Sequence, residues 1–262
     1  MKDSKSIKII AISIIAAVFI NSLFKILGAG LPYFYKEPKE KSDISVKGYY
    51  EQDITSDEIQ WEAWYSVTSK VSDNGSLQKA MRELKRDQEK ILNFLTSKGI
   101  DENEITFKAA TNRTVTRSEE KLIEGSRDRT NRYTYITGYS VSQTIIVNSN
   151  KVDIVEKASN EITNLIEDGV NITSYSPKYY YSKLKDLKIE TIEGASKDAY
   201  ERAKTAISGG NGKLGELQSA SIGTMQILGK NADDDISYGG TLNTANKHKT
   251  ISVTVNQRYS IK

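Results

Sequence analysis

Residues 59–71 are the stretch that most limits how this chain can fold. Ile59, Trp61, Ala63, Tyr65, Val67 and Val71 alternate with Gln60, Glu62, Trp64, Ser66, Thr68 and Lys70. A period of two over a dozen residues is the pattern of a long strand with one face buried. The next segment changes period. Leu77, Ala80, Met81, Leu84, Gln88, Ile91, Leu92 and Leu95 fall on one helical face, and Arg82, Glu83, Lys85, Arg86, Asp87, Glu89 and Lys90 fall on the other. Ser76 suits the N-cap, and Gly99-Ile100 suits a Schellman stop.

The same order returns further on. A strand over about 104–117 is followed by a polar tip, 118–131, and then by a long alternation from Tyr133 through Tyr139 to Val147. A second helix is expected over about 151–167, with Val152, Val155, Ser159, Ile162 and Ile166 inward and Gly169-Val170 as its stop. An Ala-rich helix over about 190–207 carries Ile192, Ala195, Ala199, Ala203 and Ala206 on one side. Strands near 216–228 and 248–261, joined by a long polar loop, close the chain. Ahead of all this, Ile44, Val46, Gly48 and Tyr50 alternate into a first strand, which a turn at 53–57 joins to the second as a hairpin. The expected order is ββαββαβαββ. That is an α+β fold with three helices on one mostly antiparallel or mixed sheet.

The N-terminus reads as a membrane address. Lys2, Lys5 and Lys8 precede the apolar run 9–24, and a second apolar piece follows Lys25. Residues 1–35 suit an uncleaved signal anchor, with Tyr33, Phe34 and Tyr35 at the boundary. The competing reading is a signal peptide cleaved near Gly28-Ala29-Gly30, which leaves a soluble exported protein. Residues 36–43 form a charged linker, and 44–262 the exported domain.

Charge placement narrows the partners. The 262-residue chain carries +3, but seven of its 37 basic and three of its 34 acidic residues lie in 1–41. The remainder holds 30 basic against 31 acidic residues, so nucleic acid is not an expected partner. The absence of cysteine excludes disulfides, thiol catalysis and Cys-based zinc sites.

Several motifs invite a chemical reading. Gly210-Asn211-Gly212-Lys213-Leu214-Gly215 matches a dinucleotide fingerprint, but it lies between a helix and a strand, the reverse of the required order. Asn231, Asp233 and Asp235 open like a calcium loop, yet Ile236 and Leu242 stand where a glycine and an acid are needed. The single histidine, His248, has no announced partner. Glu58 and Glu62 flank Gln60 on the wet face of the second strand and invite a carboxylate-pair reading, but nothing marks either as buried. No catalytic, cofactor-binding or metal-binding residue is therefore assigned. What remains is aromatic: Tyr175, Tyr179, Tyr180 and Tyr181 around Pro177, and Trp64, an indole on the polar side of its strand. Rigid rings of this kind suit an interaction surface.

Order and spacing together resemble the SIMPL-domain family of bacterial envelope proteins, in its membrane-anchored branch. The resemblance rests on Val46-Lys47-Gly48, Asp57/Ile59/Trp61, Leu92 through Ile100, Glu104-Ile105, Tyr139 to Val147, Asn150-Lys151-Val152, Gly169-Val170, and Ala195, Asp198-Ala199, Ala203 leading to Leu214-Gly215. It covers about 44–261. It implies an α+β domain facing the periplasm from the inner membrane, non-enzymatic, self-associating and linked in some members to oxidative stress. It offers no catalytic residues to carry over. The alternatives are a binding module for a peptide, glycan or partner protein, and a carboxylate-based hydrolase.

Overall fold

The computed structural model describes residues 13, 15–23, 25, 42–72, 76–125 and 128–262. Most of the anchor expected over 1–35, and most of the linker, lie outside them. Residues 13, 15–23 and 25 are helical, and among the described residues no helix is long and apolar enough to cross a membrane.

The elements run β1 (Asp43–Thr55), β2 (Glu58–Lys70), α1 (Ser76–Ser97), β3 (Ile105–Phe107), β4 (Thr111–Leu122), β5 (Thr130–Ser149), α2 (Val152–Glu161), β6 (Ile172–Ser174), β7 (Lys178–Tyr180), α3 (Leu184–Gly209), β8 (Leu214–Ile222), β9 (Gln226–Gly229), β10 (Thr241–Leu242) and β11 (His248–Ile261). They fall into two compact units. Met1–Ser45, Ala203–Ser219 and Arg258–Lys262 make the smaller one, and Val46–Arg202 with Ala220–Gln257 the larger. In the smaller unit, Lys213 and Lys262 exchange backbone hydrogen bonds and the Ile261 amide donates to the Ser42 carbonyl. Arg258 lies 3.6 Å from Asp43 in the same unit.

The α+β class stands, but there are two sheets where one was expected. One has the order β3-β5-β2-β6, with β4 also on β5 and β7 also on β2. The other has the order β1-β11-β9-β10, with β8 also on β11. The expected β1–β2 hairpin does not form. The Ser56 amide donates to the Lys247 carbonyl and the Asp57 amide to the Tyr180 carbonyl, so the two residues of the turn are claimed by different neighbours. Beyond them β2 pairs with β5 without a break, from Ile59↔Ser149 to Lys70↔Gly138.

Helices α1 and α2 cover one face of the six-stranded sheet. Ile59, Trp61, Ala63 and Tyr65 meet Val141, Ile145 and Val147 of β5 and the buried stripes of both helices in one core. Both helices end as expected. The Ile100 amide donates to the Leu95 carbonyl and Gly99 to Thr96; Val170 repeats this with Leu165, and Gly169 with Ile166. Gly99 and Gly169 have φ of 92° and 85°, the left-handed conformation that this motif requires. One expected contact moves. Past Glu161 the second helix tightens into a 3-10 turn over Ile162–Ile166, which leaves Leu165 buried and Ile166 exposed.

Helix α3 serves the five-stranded sheet. Leu187 packs with Ile54, Ile227 and Ile251, and Ala195 with Val253 and Val255. The approach is close. A Cβ on Gly48 of β1 would lie 2.0 Å from the Ala195 carbonyl oxygen and 2.5 Å from the Ala199 nitrogen. Those are backbone atoms, so no rotamer change relieves the overlap. Gly48→Ala is expected to destabilise the domain by about 2 kcal/mol or more, read as a lower urea midpoint with the slope unchanged.

The expected polar tip at 118–131 begins and ends in paired strand, from Ser118↔Thr134 to Leu122↔Thr130. From Gly138 to Ser149, β5 has β2 beside it; residues 130–136 pair with β4 alone, and a bulge that leaves Thr137 out of the β4 register, between Val115 and Thr116, marks the departure. The result is a two-stranded ribbon exposed on both faces, with Leu122, Tyr133, Tyr135 and Ile136 among its open side chains.

Candidate functional site

Strand parity splits the six-stranded sheet into a helix-covered face and an open one. Odd-numbered residues of β2 enter the core. Glu58, Gln60, Glu62 and Trp64 point the other way, and register aligns neighbours beside them: Tyr180 opposite Glu58, Lys178 and Asn148 opposite Gln60, Thr144 and Thr173 opposite Trp64. The Tyr175 amide donates to the Glu62 carbonyl, which sets that ring beside the row.

The same parity distributes the tyrosine cluster. Tyr175 is 51% exposed on the open face. Tyr179, opposite Ile59, is buried in the core and donates its hydroxyl to Glu156. Burial and that carboxylate push its phenol up to about 12. Tyr180 returns to the open face, and Tyr181 packs against the Ile54–Leu187 cluster. The structure thus brings Trp64, Tyr175 and Tyr180 to one surface and takes Tyr179 and Tyr181 elsewhere.

Two adjoining hollows mark that surface. One of about 400 Å³ is lined by Trp64, Tyr175, Glu62, Thr144 and Lys178. The other, of about 420 Å³, is lined by Glu58, Tyr180, Glu104, Asn148 and Asn150. Gln60 borders both, and its amide donates to Asn148 Oδ1 at 3.0 Å. Among the described residues no hydrogen bond or ion pair engages the Glu58 or Glu62 carboxylates, the Lys178 ammonium, the hydroxyls of Tyr175 and Tyr180, or the Trp64 indole N–H. Trp61 shows the contrast, since its buried indole donates to Ser174 Oγ at 3.0 Å. At the far end, Glu104 is held in place. Burial works against its charge, but hydrogen bonds from Ser149, the Asp101 amide and Lys151 outweigh it and keep the carboxyl below its usual range.

The carboxylate-pair reading of Glu58 and Glu62 meets a distance problem. Four residues of strand separate their Cα atoms by about 13 Å, and the two side chains line different hollows, Glu58 one and Glu62 the other. His248 sits at the start of β11 with its Nδ1 3.1 Å from Thr55 Oγ1. The 230–247 loop is tied by its own side chains: Asp234 accepts from the Gly229 amide and from Asn243, which also reaches Asn246. Residues 210–215 connect α3 to β8.

Two buried charges were not legible in the sequence. Asp87, read there as a solvent residue of α1, lies on the buried stripe with Ala80, Leu84, Ile91 and Leu95, and desolvation raises its carboxyl. The 84–87–91 spacing was the available signal. Lys249 of β11 is 2% exposed, and its ammonium donates to Ser56 Oγ at 2.9 Å and to the Tyr179 carbonyl at 2.5 Å. It thereby links β11 to the β1–β2 turn and to β7.

A match to a family model bears on all of this. The SIMPL model, described as a protein of unknown function (DUF541), covers residues 44–259. The chain belongs to the SIMPL family. No curated protein matches it in a sequence comparison.

Desolvation lowers the Lys249 amine below the ordinary lysine value. A folded-state value below the unfolded one means that the unfolded chain holds more protons between the two, so stability rises with pH across that window. Compared with Lys249→Met, the wild type is expected to gain relative stability as pH rises toward the ordinary lysine value of about 10. Urea midpoints of both proteins across that range are the measurement; parallel curves would refute the assignment.

Proposed function

We propose that this SIMPL protein is a membrane-tethered, non-enzymatic component of the bacterial envelope that works by self-association, with a link to envelope or oxidative stress. The β4–β5 ribbon carries the reading. Two strands alone are marginal in water, and this pair leaves Tyr133, Tyr135, Ile136 and Leu122 open to solvent. Lys121 lies over both tyrosine rings, 6.0 and 5.7 Å from their centres, which covers part of one face only.

The outer edge of β4 favours a second copy as its partner. Among the described residues β4 pairs with β5 alone, so its outer amides and carbonyls form a template for another strand. Antiparallel pairing of β4 with itself about a two-fold axis at Ser118 sets Arg117 of each copy opposite Glu119 of the other. Such a contact is closed and self-complementary. Arg117 and Glu119 approach to 3.4 Å within one chain, so both charges stand on the same face of β4. Across the axis the two Ser118 Cα atoms would lie about 5 Å apart, within disulfide reach.

Because the chain has no cysteine, Ser118→Cys supplies a single probe. Mild oxidation of the full chain in detergent is expected to give a covalent dimer, and Leu122→Cys to give none. Arg117→Glu is expected to weaken association in light scattering, and Arg117→Glu with Glu119→Arg to restore it. A monomer at micromolar concentration, or charge reversal without effect, would end the proposal. The tether is tested apart from this: the full chain is expected to stay with membranes after alkaline carbonate washing, and release into the wash would favour the cleaved form.

A second reading, a binding module, is supported by the open face of Trp64, Tyr175 and Tyr180 with its unengaged polar groups.

A further inference from the structure

We infer that the open face of β2 is a binding site for a linear, neutral or N-acetylated oligosaccharide. The inference rests on the binding-module reading and is independent of self-association. Three observations converge. The first is the pairing of flat rings with hydrogen-bonding groups. Trp64 and Tyr175 line one hollow and Tyr180 the other. Pyranose rings present an apolar C–H face that stacks on aromatic side chains, and an equatorial rim of hydroxyls that needs donors and acceptors.

The second is the chemistry of that rim. Gln60 and Asn148 meet where the hollows join, and a planar amide pair offers both donor and acceptor to neighbouring hydroxyls. Glu58 and Glu62 add carboxylate acceptors, one on each hollow. Hydroxyl-to-carboxylate hydrogen bonds are charge-assisted and short. With Lys178 as the one opposing cation among the lining residues that lack an ion pair, the groove does not suit a polyanion. This separates a neutral or N-acetylated sugar from a phosphorylated or sulfated one. The Glu58 and Glu62 carboxylates, the Lys178 ammonium and the Tyr175 and Tyr180 hydroxyls have no protein partner among the described residues, so a ligand would meet charged and hydroxyl groups whose only competitor is water.

The third is length. From Trp64 to the Glu58–Tyr180 pair is six residues of strand, about 20 Å, and the hollows adjoin along that line. A globular ligand would use one hollow. A chain of several linked rings would use both, with Trp64 and Tyr175 as one stacking platform and Tyr180 as the other.

Tryptophan fluorescence gives a direct readout, since Trp61 is buried and Trp64 is half-buried on the proposed site. The full chain in detergent is titrated to millimolar concentration with cellotetraose, chitotetraose and maltotetraose. Saturable change with at least one is expected. It should weaken at least tenfold in Tyr175→Ala and in Glu62→Gln, and stay unchanged in Tyr133→Ala on the ribbon. Tyr175 is exposed, so its loss does not threaten folding; saturation transfer from the protein to sugar protons provides a second measurement free of any tryptophan change. No saturable binding of any of the three, or binding indifferent to Tyr175 and Glu62, overturns the inference. A parallel comparison in cells shows whether the wider reading falls with it. If Tyr175→Ala reproduces the deletion phenotype while no sugar binds, the face is functional and its ligand is not a saccharide. If the variant is silent as well, both readings fall.

Discussion

The pairing of β2 with β5 governs the rest of the structure. Twelve consecutive residue pairs fix the register from Ile59↔Ser149 to Lys70↔Gly138. A slip of one residue would turn Trp61 and Tyr65 to water and Glu62 and Trp64 into the core. The register therefore decides at once which side α1 and α2 cover and which side stays open. It also commits β2 to the six-stranded sheet, and so forces the chain to change sheets at Ser56 and Asp57.

That change of sheet gives Lys249 its setting. A buried ammonium without a carboxylate beside it is costly, and here it is met by one hydroxyl and one carbonyl, Ser56 and Tyr179. Around the rim of the same region, paired charges stay nearer solvent: Lys247 bonds Asp153 and Glu156, and Asp57 accepts from the amide and hydroxyl of Ser182. The turn that a sequence reader takes for a hairpin is a polar junction between separate strand sets.

Local features were legible in the sequence and distant ones were not. The alternation of β1, β2 and β5 and both Schellman stops follow from patterns within a few residues. The small-residue stripe of α3 was visible too, and Gly48 and Ala195 show what it serves. Strand partners lie far apart in sequence, and an alternation gives the face of a strand but not its neighbour. Asp87 and Lys249 were missed because residue type argues for exposure while position dictates burial. At the candidate site, Trp64 stood out as an indole on a polar side, and Tyr175 and Tyr180 lay in the marked cluster. The part of Gln60 and Asn148 in joining the hollows depended on a cross-strand pairing that spacing alone does not reveal.

Strand β5 passes through two environments without a break. Its last twelve residues run between β2 and the β3–β4 edge, beneath helices; its first eight belong to the ribbon. Opening the ribbon exposes little apolar surface, whereas opening residues 138–149 dismantles the main core. One continuous strand therefore spans two cooperative units, with their boundary at Gly138. Amide protons on either side of that glycine report different events, fraying of an arm on one side and loss of the whole domain on the other.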